Sequence, residues 1–305
     1  MEFLYILEDL RTPWLDAVVS VLTELGGETV FLIAALTVFW CMDKRQGYYL
    51  LSVGFMGTLV NQFLKITCRI PRPWVRDPHF TIVEAARAEA TGYSFPSGHS
   101  TSSVGTFGVI ATETKNLWVR IASVALCVLI PLTRLYLGVH TPADVVVGSA
   151  ISLAFLIVLH PVIYRDNGKR LPGLLGVMLA LSAGFVAYME FFPFPADTDP
   201  ANLHSALQNS YTLLGALAGM IIVYHADKKL DFPTDGVWYV QILKTVVGLI
   251  LALAVKEGLK MPLELIFGGH MIARALRYMV LVLVVGILWP LTFPRLSRLG
   301  RKTET

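Results

Sequence analysis

The stretch Thr133-Arg-Leu-Tyr-Leu-Gly-Val-His-Thr-Pro-Ala-Asp144 lies where one long apolar segment ends and the next begins. It contains three residues whose side chains can carry a charge near neutral pH, Arg134, His140 and Asp144. Pro142 is typical of a first helical turn, so a new helix is predicted to begin here. His140 would lie on the entering loop, and Asp144 on the first turn would reach one imidazole nitrogen. Such a carboxylate fixes the tautomer and leaves the other nitrogen free as a nucleophile.

A second interpretation of the same residues is purely structural. Thr141 and Asp144 have the Thr-x-x-Asp spacing of a helix capping box, which would make His140 a bystander. The stretch alone is compatible with both interpretations, so the choice depends on the rest of the chain.

The composition indicates the class of protein. Of the 305 residues, 55% are hydrophobic and only 15% are charged, and the mean hydropathy is +0.62. Soluble domains average about 25% charged residues, so the chain is predicted to be an all-α integral membrane protein. The net charge of +3 is small, and no nucleic-acid partner is expected. The three cysteines have neither disulfide-framework nor zinc-site spacing.

An amphipathic stretch and nine apolar segments organise the chain. Residues 12–25 are too short to span a membrane and are predicted to form a helix in the interface. The nine segments are predicted to be transmembrane helices, several of them near the lower limit of about 17 residues. They occupy residues 28–42, 46–66, 98–113, 117–134, 142–163, 172–192, 205–226, 238–258 and 271–293.

A shift in composition near residues 164–172 divides these spans into five and four. The sequence therefore predicts three regions. They are an interfacial N-terminal helix at 1–27, a core at 28–163, and an accessory C-terminal bundle of four transmembrane helices at 164–305.

The distribution of basic residues predicts the orientation. Cytoplasmic loops of membrane proteins are enriched in Lys and Arg, so the loops on the basic side are assigned to the cytoplasm. The opposite side carries the long 67–97 loop and the 135–141 junction, and the N-terminus is placed outside with it. The residues that define the cytoplasmic side are Lys44, Arg45, Lys115, Arg120, Arg165, Arg170, Lys228, Lys229, Arg295, Arg298, Arg301 and Lys302.

One basic cluster breaks this rule. Lys65, Arg69, Arg72 and Arg76 crowd the outer side, where an anionic ligand would explain them. Two more blocks reach the same face: Phe95-Pro-Ser-Gly-His-Ser100, which opens a span, and the 133–144 stretch. Taken singly, Lys65 and Arg72 are compatible with ordinary interfacial anchors. The shared face of the three blocks favours a site for an anionic ligand instead.

The spacing Lys-x6-Arg-Pro, then Pro-Ser-Gly-His, then Arg-x5-His-x3-Asp resembles the type 2 phosphatidic acid phosphatase (PAP2) superfamily. That superfamily includes glucose-6-phosphatase, sphingosine-1-phosphate phosphatase and vanadium haloperoxidases. Thr133 stands where the family usually has Ser, and a hydroxyl is retained. The resemblance covers about residues 28–163 and implies a PAP2-type helical bundle as the catalytic core. The nine-span layout resembles the glucose-6-phosphatase and sphingosine-phosphate phosphatase branches.

The resemblance and the chemistry of the side chains together give each residue an expected role. His140 is the expected nucleophile, which forms a phosphohistidine, and Asp144 orients it. His99 is expected to protonate the leaving oxygen and then to activate the water that hydrolyses the intermediate.

The remaining residues are expected to bind phosphate. Lys65, Arg72 and Arg134 would neutralise charge on the phosphate oxygens. Ser97 and Gly98 lie at a helix N-terminus, where free N–H groups favour an anion. Taken alone, Ser97 is more typical of an N-cap than of a phosphate-binding residue. Neither a metal nor another cofactor is expected.

The sequence thus predicts a membrane phosphatase that acts on a lipid phosphate or diphosphate at the extracytoplasmic or lumenal face. Two alternatives remain. One is a phosphatase of a soluble sugar phosphate, and the other is a lipid-phosphate binding or transport protein with a phosphatase fold that has lost its catalytic activity. The absence of any Asn-x-Ser/Thr sequon favours a bacterial plasma membrane over the endoplasmic reticulum. Residues 79–91 are predicted to form a short amphipathic helix over the site entrance.

Overall fold

The computed structural model describes residues 1–299, and over that range all regular secondary structure is helical. Arg301 and Lys302, which were counted among the basic tail residues, lie outside the described residues. The helices are α1 (Glu2–Asp9), α2 (Pro13–Glu24), α3 (Glu28–Cys41), α4 (Lys44–Cys68), α5 (Pro73–Arg76), α6 (Gly98–Glu113), α7 (Leu117–Tyr136), α8 (Pro142–Tyr164), α9 (Leu171–Phe191), α10 (Pro200–Leu230), α11 (Trp238–Gly258), α12 (Lys260–Ile266), α13 (Ile272–Leu283) and α14 (Phe293–Leu296).

Each of the nine predicted spans corresponds to a helix, and the predicted all-α membrane class is confirmed. By length and composition, seven of the described segments could cross a membrane, and α2 with α3 form a further candidate bent by 41°. Helix α6 has 16 residues, which gives it a length of about 24 Å, shorter than the hydrocarbon core of a typical bilayer. The seven segments are Lys44–Arg76, Leu117–Tyr136, Pro142–Tyr164, Leu171–Phe191, Pro200–Leu230, Trp238–Ile266 and Ile272–Leu296.

The N-terminal region contains two helices. The helix predicted at 12–25 is present as α2, and α1 precedes it without having been predicted. Leu4 of α1 is buried against Phe80, Leu135 and Val145, and the Tyr5 hydroxyl donates to Asp77 Oδ2 at 2.8 Å. The amino-terminal helix is therefore held against the loops around the 133–144 stretch.

The segment 79–91 differs from its prediction. Instead of an amphipathic helix it has a single 3-10 turn, Glu84–Ala86, so that prediction is wrong. Phe80 and Ile82 are both buried in one cluster, and side chains two apart share a face only in extended chain. Their packing therefore opposes a helix here.

Small residues bring the start of α6 against the start of α8. A Cβ at Gly148 would lie 2.5 Å from the Ser97 carbonyl oxygen, so only glycine permits this approach. The Thr101 hydroxyl donates to the Gly148 carbonyl at 3.0 Å, and the Ser152 hydroxyl donates to the Thr101 carbonyl at 2.5 Å. The 97–99 and 140–144 blocks are fixed to each other by this contact.

The chain divides into two compact units. The first contains Met1–Leu32, Tyr49–Pro161 and Pro193–Ala206. The second contains Ile33–Tyr48, Val162–Phe192 and the chain from Leu207 onward. All eight predicted site residues belong to the first unit.

Within the second unit, polar groups on buried side chains are satisfied by backbone carbonyls. Lys244 is fully buried, and its ammonium donates to the carbonyl oxygens of Pro233 and Asp235 at 3.2 and 2.8 Å. The Trp40 indole donates to the Val285 carbonyl at 3.0 Å. These contacts meet the requirement that a buried charge or donor be hydrogen-bonded.

Candidate active site

His140 and Asp144 meet where α7 gives way to α8. His140 lies on the intervening loop, and Asp144 lies on the first turn of α8. The His140 Nδ1 atom is 3.4 Å from Asp144 Oδ2, and the two residues are 2% and 1% exposed. This separation exceeds a normal hydrogen bond, and such contacts often tighten when charge develops on the ring.

The capping box that Thr141 and Asp144 were predicted to form is present in the structure. Asp144 Oδ2 accepts the Thr141 N–H at 2.7 Å, and the Thr141 hydroxyl accepts the Asp144 N–H at 3.4 Å. One carboxylate therefore caps α8 and faces the imidazole. The cap fixes the carboxylate in the position from which it can orient His140.

Ser94 is a site residue that the sequence analysis missed. Its side chain is fully buried, and its hydroxyl donates to Asp144 Oδ2 at 2.5 Å. Its N–H donates to the Ile70 carbonyl at 2.8 Å. Ser94 therefore links the loop after α4 to the carboxylate on α8. Its position, three residues before Ser97, was the only available signal.

Arg72 is clamped by backbone carbonyls beside His140. Its guanidinium donates to the carbonyls of Thr91 at 2.7 Å, Gly92 at 3.1 Å and Val139 at 2.9 Å. Nη1 also lies 2.9 Å from His140 Nε2. A strong fixed donor thus faces the imidazole nitrogen that points away from Asp144.

Two further cations lie in the same buried region. The Lys65 ammonium donates to the Tyr93 carbonyl at 2.7 Å, and Arg134 Nη1 donates to the Thr23 hydroxyl at 2.9 Å. Arg134 is 1% exposed, and its Nε is buried without a hydrogen-bond partner. A buried guanidinium with an unused donor is suited to bind an anion.

These surroundings keep His140 neutral. Burial lowers the pKa of His140 well below its ordinary value, and the positive charges of Arg72, Lys65 and Arg134 lower it further. A neutral imidazole has a free electron pair, which is the form that can attack phosphorus.

The N-terminus of α6 contributes the second block. Ser97 is the N-cap, its hydroxyl accepting the Ser100 N–H at 3.3 Å, and its own N–H donates to the Asp144 carbonyl at 2.9 Å. A Cβ at Gly98 would meet only Asn61 Oδ1, at 3.9 Å, so the backbone there is open to a ligand. The Asn61 amide holds the turn by donating to the Pro96 carbonyl at 3.3 Å.

His99 has a partner that the sequence analysis did not identify. Its Nε2 atom lies 3.1 Å from Glu89 Oε2. His99 is also within electrostatic range of Arg134, Arg72 and Lys65. The structure thus gathers His99, His140, Asp144 and the three cations in one region.

Across residues 1–299, the structure contains no group of three or more His, Cys, Asp or Glu side chains arranged to hold a metal ion. The expected metal-independent reaction stays a prediction.

Comparisons with known proteins bear directly on the family. The PAP2 superfamily profile matches residues 45–167. A second profile, described as a PAP2 superfamily phosphatase transmembrane extension, matches residues 211–302. No solved structure matches the chain significantly.

Three curated relatives show which named phosphatases the chain resembles. Phosphatidylglycerophosphatase B of Bacillus subtilis is 30% identical over 160 residues, which are 47% of this chain and 73% of that protein. Sphingosine-1-phosphate phosphatase 1 of Rattus norvegicus is 25% identical over 265 residues, 78% of this chain and 58% of that protein. Undecaprenyl-diphosphatase of Sulfolobus acidocaldarius is 27% identical over 136 residues, 44% of this chain and 64% of that protein. The chain thus covers less than two thirds of the last two relatives. From the two profiles and the first relative, the chain belongs to the PAP2 superfamily of phosphatases.

Proposed function

We propose that this protein hydrolyses the phosphate monoester or diphosphate of a membrane lipid through a phosphohistidine at His140. The observation that carries the proposal is the environment of that imidazole. It is buried and neutral, with Asp144 beside Nδ1 and the Arg72 guanidinium beside Nε2. Such a ring is oriented and uncharged, and its Nε2 lies where an anionic phosphoryl group would be stabilised.

In the first half of the proposed reaction, the phosphate group displaces Arg72 Nη1 from His140 Nε2. The phosphate oxygens then accept the hydrogen bonds that the Arg72 guanidinium donates. Nε2 then attacks phosphorus, and Asp144 stabilises the positive charge that develops on the ring. Arg72, Lys65 and Arg134 stabilise the negative charge on the three non-bridging oxygens.

The proposed second half regenerates the enzyme. A water molecule, activated by His99, attacks the phosphohistidine and releases inorganic phosphate. The open N-terminus of α6 at Gly98 offers backbone N–H groups to the same oxygens.

The lipid class of the substrate is supported by the relatives. Their names specify a phosphatidylglycerophosphate, a sphingosine phosphate and an undecaprenyl diphosphate. Each of these named substrates combines a phosphate or diphosphate group with a lipid hydrocarbon portion, and the three differ in the rest of the molecule. A site that reads only the phosphate, with the tail left in the bilayer, is consistent with all three.

The proposed location is the extracytoplasmic or lumenal face of the membrane. Basic loops are typical of the cytoplasmic side of a membrane protein. The loops around Lys44, Lys115 and Lys228 are basic, and they lie on the side of the predicted topology opposite the site, which supports an extracytoplasmic or lumenal site. A bacterial plasma membrane is the proposed compartment. Labelling of single-cysteine variants at Arg76 and at Lys115 with a membrane-impermeant reagent in intact cells tests this orientation. Labelling at 76 alone supports it, and labelling at 115 alone contradicts it.

A substrate panel tests the proposed activity. Purified protein is assayed for phosphate release from phosphatidate, an isoprenyl diphosphate, sphingosine-1-phosphate and glucose-6-phosphate. Release from at least one lipid is expected, and hydrolysis of glucose-6-phosphate alone would establish the soluble-sugar alternative. A binding or transport protein would retain phosphate affinity and release nothing from any of the four. His140→Ala is expected to abolish turnover and to keep measurable vanadate binding.

A further inference from the structure

His99 is accompanied by a carboxylate that lies outside the three sequence blocks. Glu89 Oε2 is 3.1 Å from His99 Nε2, and the two side chains are 42% and 16% exposed. Glu89 belongs to the 79–91 segment, ten residues before His99. The contact therefore joins a loop residue to the proposed acid and base of the reaction.

The loop that carries Glu89 is anchored on both sides of it. Ala86 and Ala90 are buried in one cluster with Val139, the residue before His140. After Glu89, the carbonyls of Thr91 and Gly92 accept hydrogen bonds from Arg72 at 2.7 and 3.1 Å. The carboxylate is thus attached to backbone that the phosphate-binding arginine itself holds in place.

The positive charges around His99 explain why a carboxylate is needed beside it. Arg134, Arg72 and Lys65 all act on the imidazole electrostatically, and three positive charges oppose protonation of the ring. Glu89 contributes the opposing negative charge by direct contact. A general acid must be protonated before it acts, so this site needs such a carboxylate.

Glu24 is the remaining ionisable group that faces this contact. It lies at the end of α2, where its carboxyl group interacts electrostatically with that of Glu89. Of these two carboxyl groups, that of Glu89 contacts the His99 imidazole directly.

We propose that Glu89 is the positioning residue of His99, the counterpart of Asp144 for His140. It holds Nε2 and leaves Nδ1 to face the reacting oxygen. Asp144 is buried and orients the His140 imidazole, which stays neutral until it attacks phosphorus. Glu89 is partly exposed and orients the His99 imidazole, which gives up and regains a proton in each cycle.

This inference rests on the proposed phosphatase reaction, in which the proton moves as follows. As His140 Nε2 forms its bond to phosphorus, the bond from phosphorus to the leaving oxygen breaks, and its electron pair stays on that oxygen. His99 Nδ1 gives its proton to the oxygen, which leaves as an alcohol. Nδ1 then takes a proton from water while the water oxygen bonds to phosphorus. The phosphorus–nitrogen bond breaks, its pair returns to Nε2, and inorganic phosphate is released.

Glu89→Gln tests the role, with Glu84→Gln as the matched control. Glu84 lies in the same segment but pairs at the surface with Arg87, at 2.7 Å. Two substrates are compared, dodecyl phosphate and 4-nitrophenyl phosphate. The alkoxide of the first needs a proton to leave, whereas the nitrophenolate of the second does not. The readout is kcat/KM, since it contains no contribution from the later hydrolysis of the phosphohistidine.

Glu89→Gln is expected to lower kcat/KM for dodecyl phosphate by about 30- to 100-fold, since general acid catalysis contributes about a hundredfold or more. For 4-nitrophenyl phosphate the loss should stay within about threefold, and Glu84→Gln should match the wild type on both. The alkaline limb of the Glu89→Gln profile should move to lower pH, because the imidazolium has lost its counter-charge and releases its proton more readily. Glu89→Asp should restore part of the activity on dodecyl phosphate.

Equal losses on the two substrates would show that Glu89 only shapes the loop, and wild-type activity of Glu89→Gln would show that it has no role. Either result overturns the inference. The phosphatase proposal is judged separately, because wild-type phosphate release and its loss in His140→Ala do not depend on Glu89.

Discussion

Replacing Asp144 with asparagine tests the orienting carboxylate while preserving its shape. The carboxylate oxygen lies 3.4 Å from His140 Nδ1, and both residues are almost completely buried. A positive ring and a negative carboxylate at that distance attract each other by about 5 kcal/mol at an effective dielectric constant of about 20. This attraction grows only as the ring becomes positive, so it lowers the barrier rather than strengthening substrate binding.

The amide introduced by Asp144→Asn keeps a dipole but loses the charge, so we expect kcat/KM to fall by about a thousandfold, which corresponds to about 4 kcal/mol. The cap should survive, because the side-chain amide oxygen of the asparagine can still accept the Thr141 N–H. The thermal unfolding midpoint in detergent should therefore change little. Phosphate release from the preferred lipid substrate in micelles gives kcat/KM, and the unfolding midpoint is measured on the same preparations.

Asp77→Asn is the matched control. Asp77 also accepts a hydrogen bond, from Tyr5 at 2.8 Å, but it does not contact the imidazole. It should retain wild-type kcat/KM. If Asp144→Asn kept activity within about threefold of the wild type, the carboxylate would be a helix cap alone and its orienting role would be refuted.

Three further predictions concern the same site. Ser94→Ala removes a buried, charge-assisted hydrogen bond worth about 1.5–3 kcal/mol, so kcat/KM should fall by about tenfold or more; unchanged kinetics would show that Ser94 does not position Asp144. Because His140 is buried neutral and its pKa is lowered, the unfolded state binds its proton first on acidification. Below about pH 6.5 the wild type should therefore lose up to about 1.4 kcal/mol of stability per pH unit relative to His140→Gln. If the free energy of unfolding changed equally with pH in the two proteins between pH 7 and pH 5, His140 would not be held neutral in the folded state. Finally, EDTA should leave phosphate release unchanged, and a loss of activity restored by magnesium would contradict the metal-independent mechanism.

The residues of the 133–144 stretch were predictable because their relation is local. Pro142 marks the first turn of α8, and a spacing of four places Asp144 against His140 on any helix that begins there. Lys65 and Arg72 were singled out by their spacing and by their place on the outer side, against the charge rule. Local geometry was sufficient to place Asp144 beside His140, whereas the catalytic roles depended on the other two blocks and stay a prediction.

The supporting residues were not predictable because their contacts join distant parts of the chain. Thr23 accepts a hydrogen bond from Arg134, which lies 111 positions away in the sequence. Ser94 and Glu89 lie in a loop whose path depends on burial of Phe80 and of the alanines that follow. The helix predicted for that loop was wrong for the same reason, since tertiary packing decided its conformation.

Trapping the covalent intermediate tests the proposed reaction most directly. Wild-type protein and His140→Ala are mixed with a lipid substrate labelled with ³²P and quenched with alkali within milliseconds, because phosphohistidine is stable in base and labile in acid. We expect label on the wild-type protein, mapped by mass spectrometry to His140, and none on the variant. Label on a different residue of the wild-type protein, or turnover and label retained in His140→Ala, would contradict a phosphohistidine at His140.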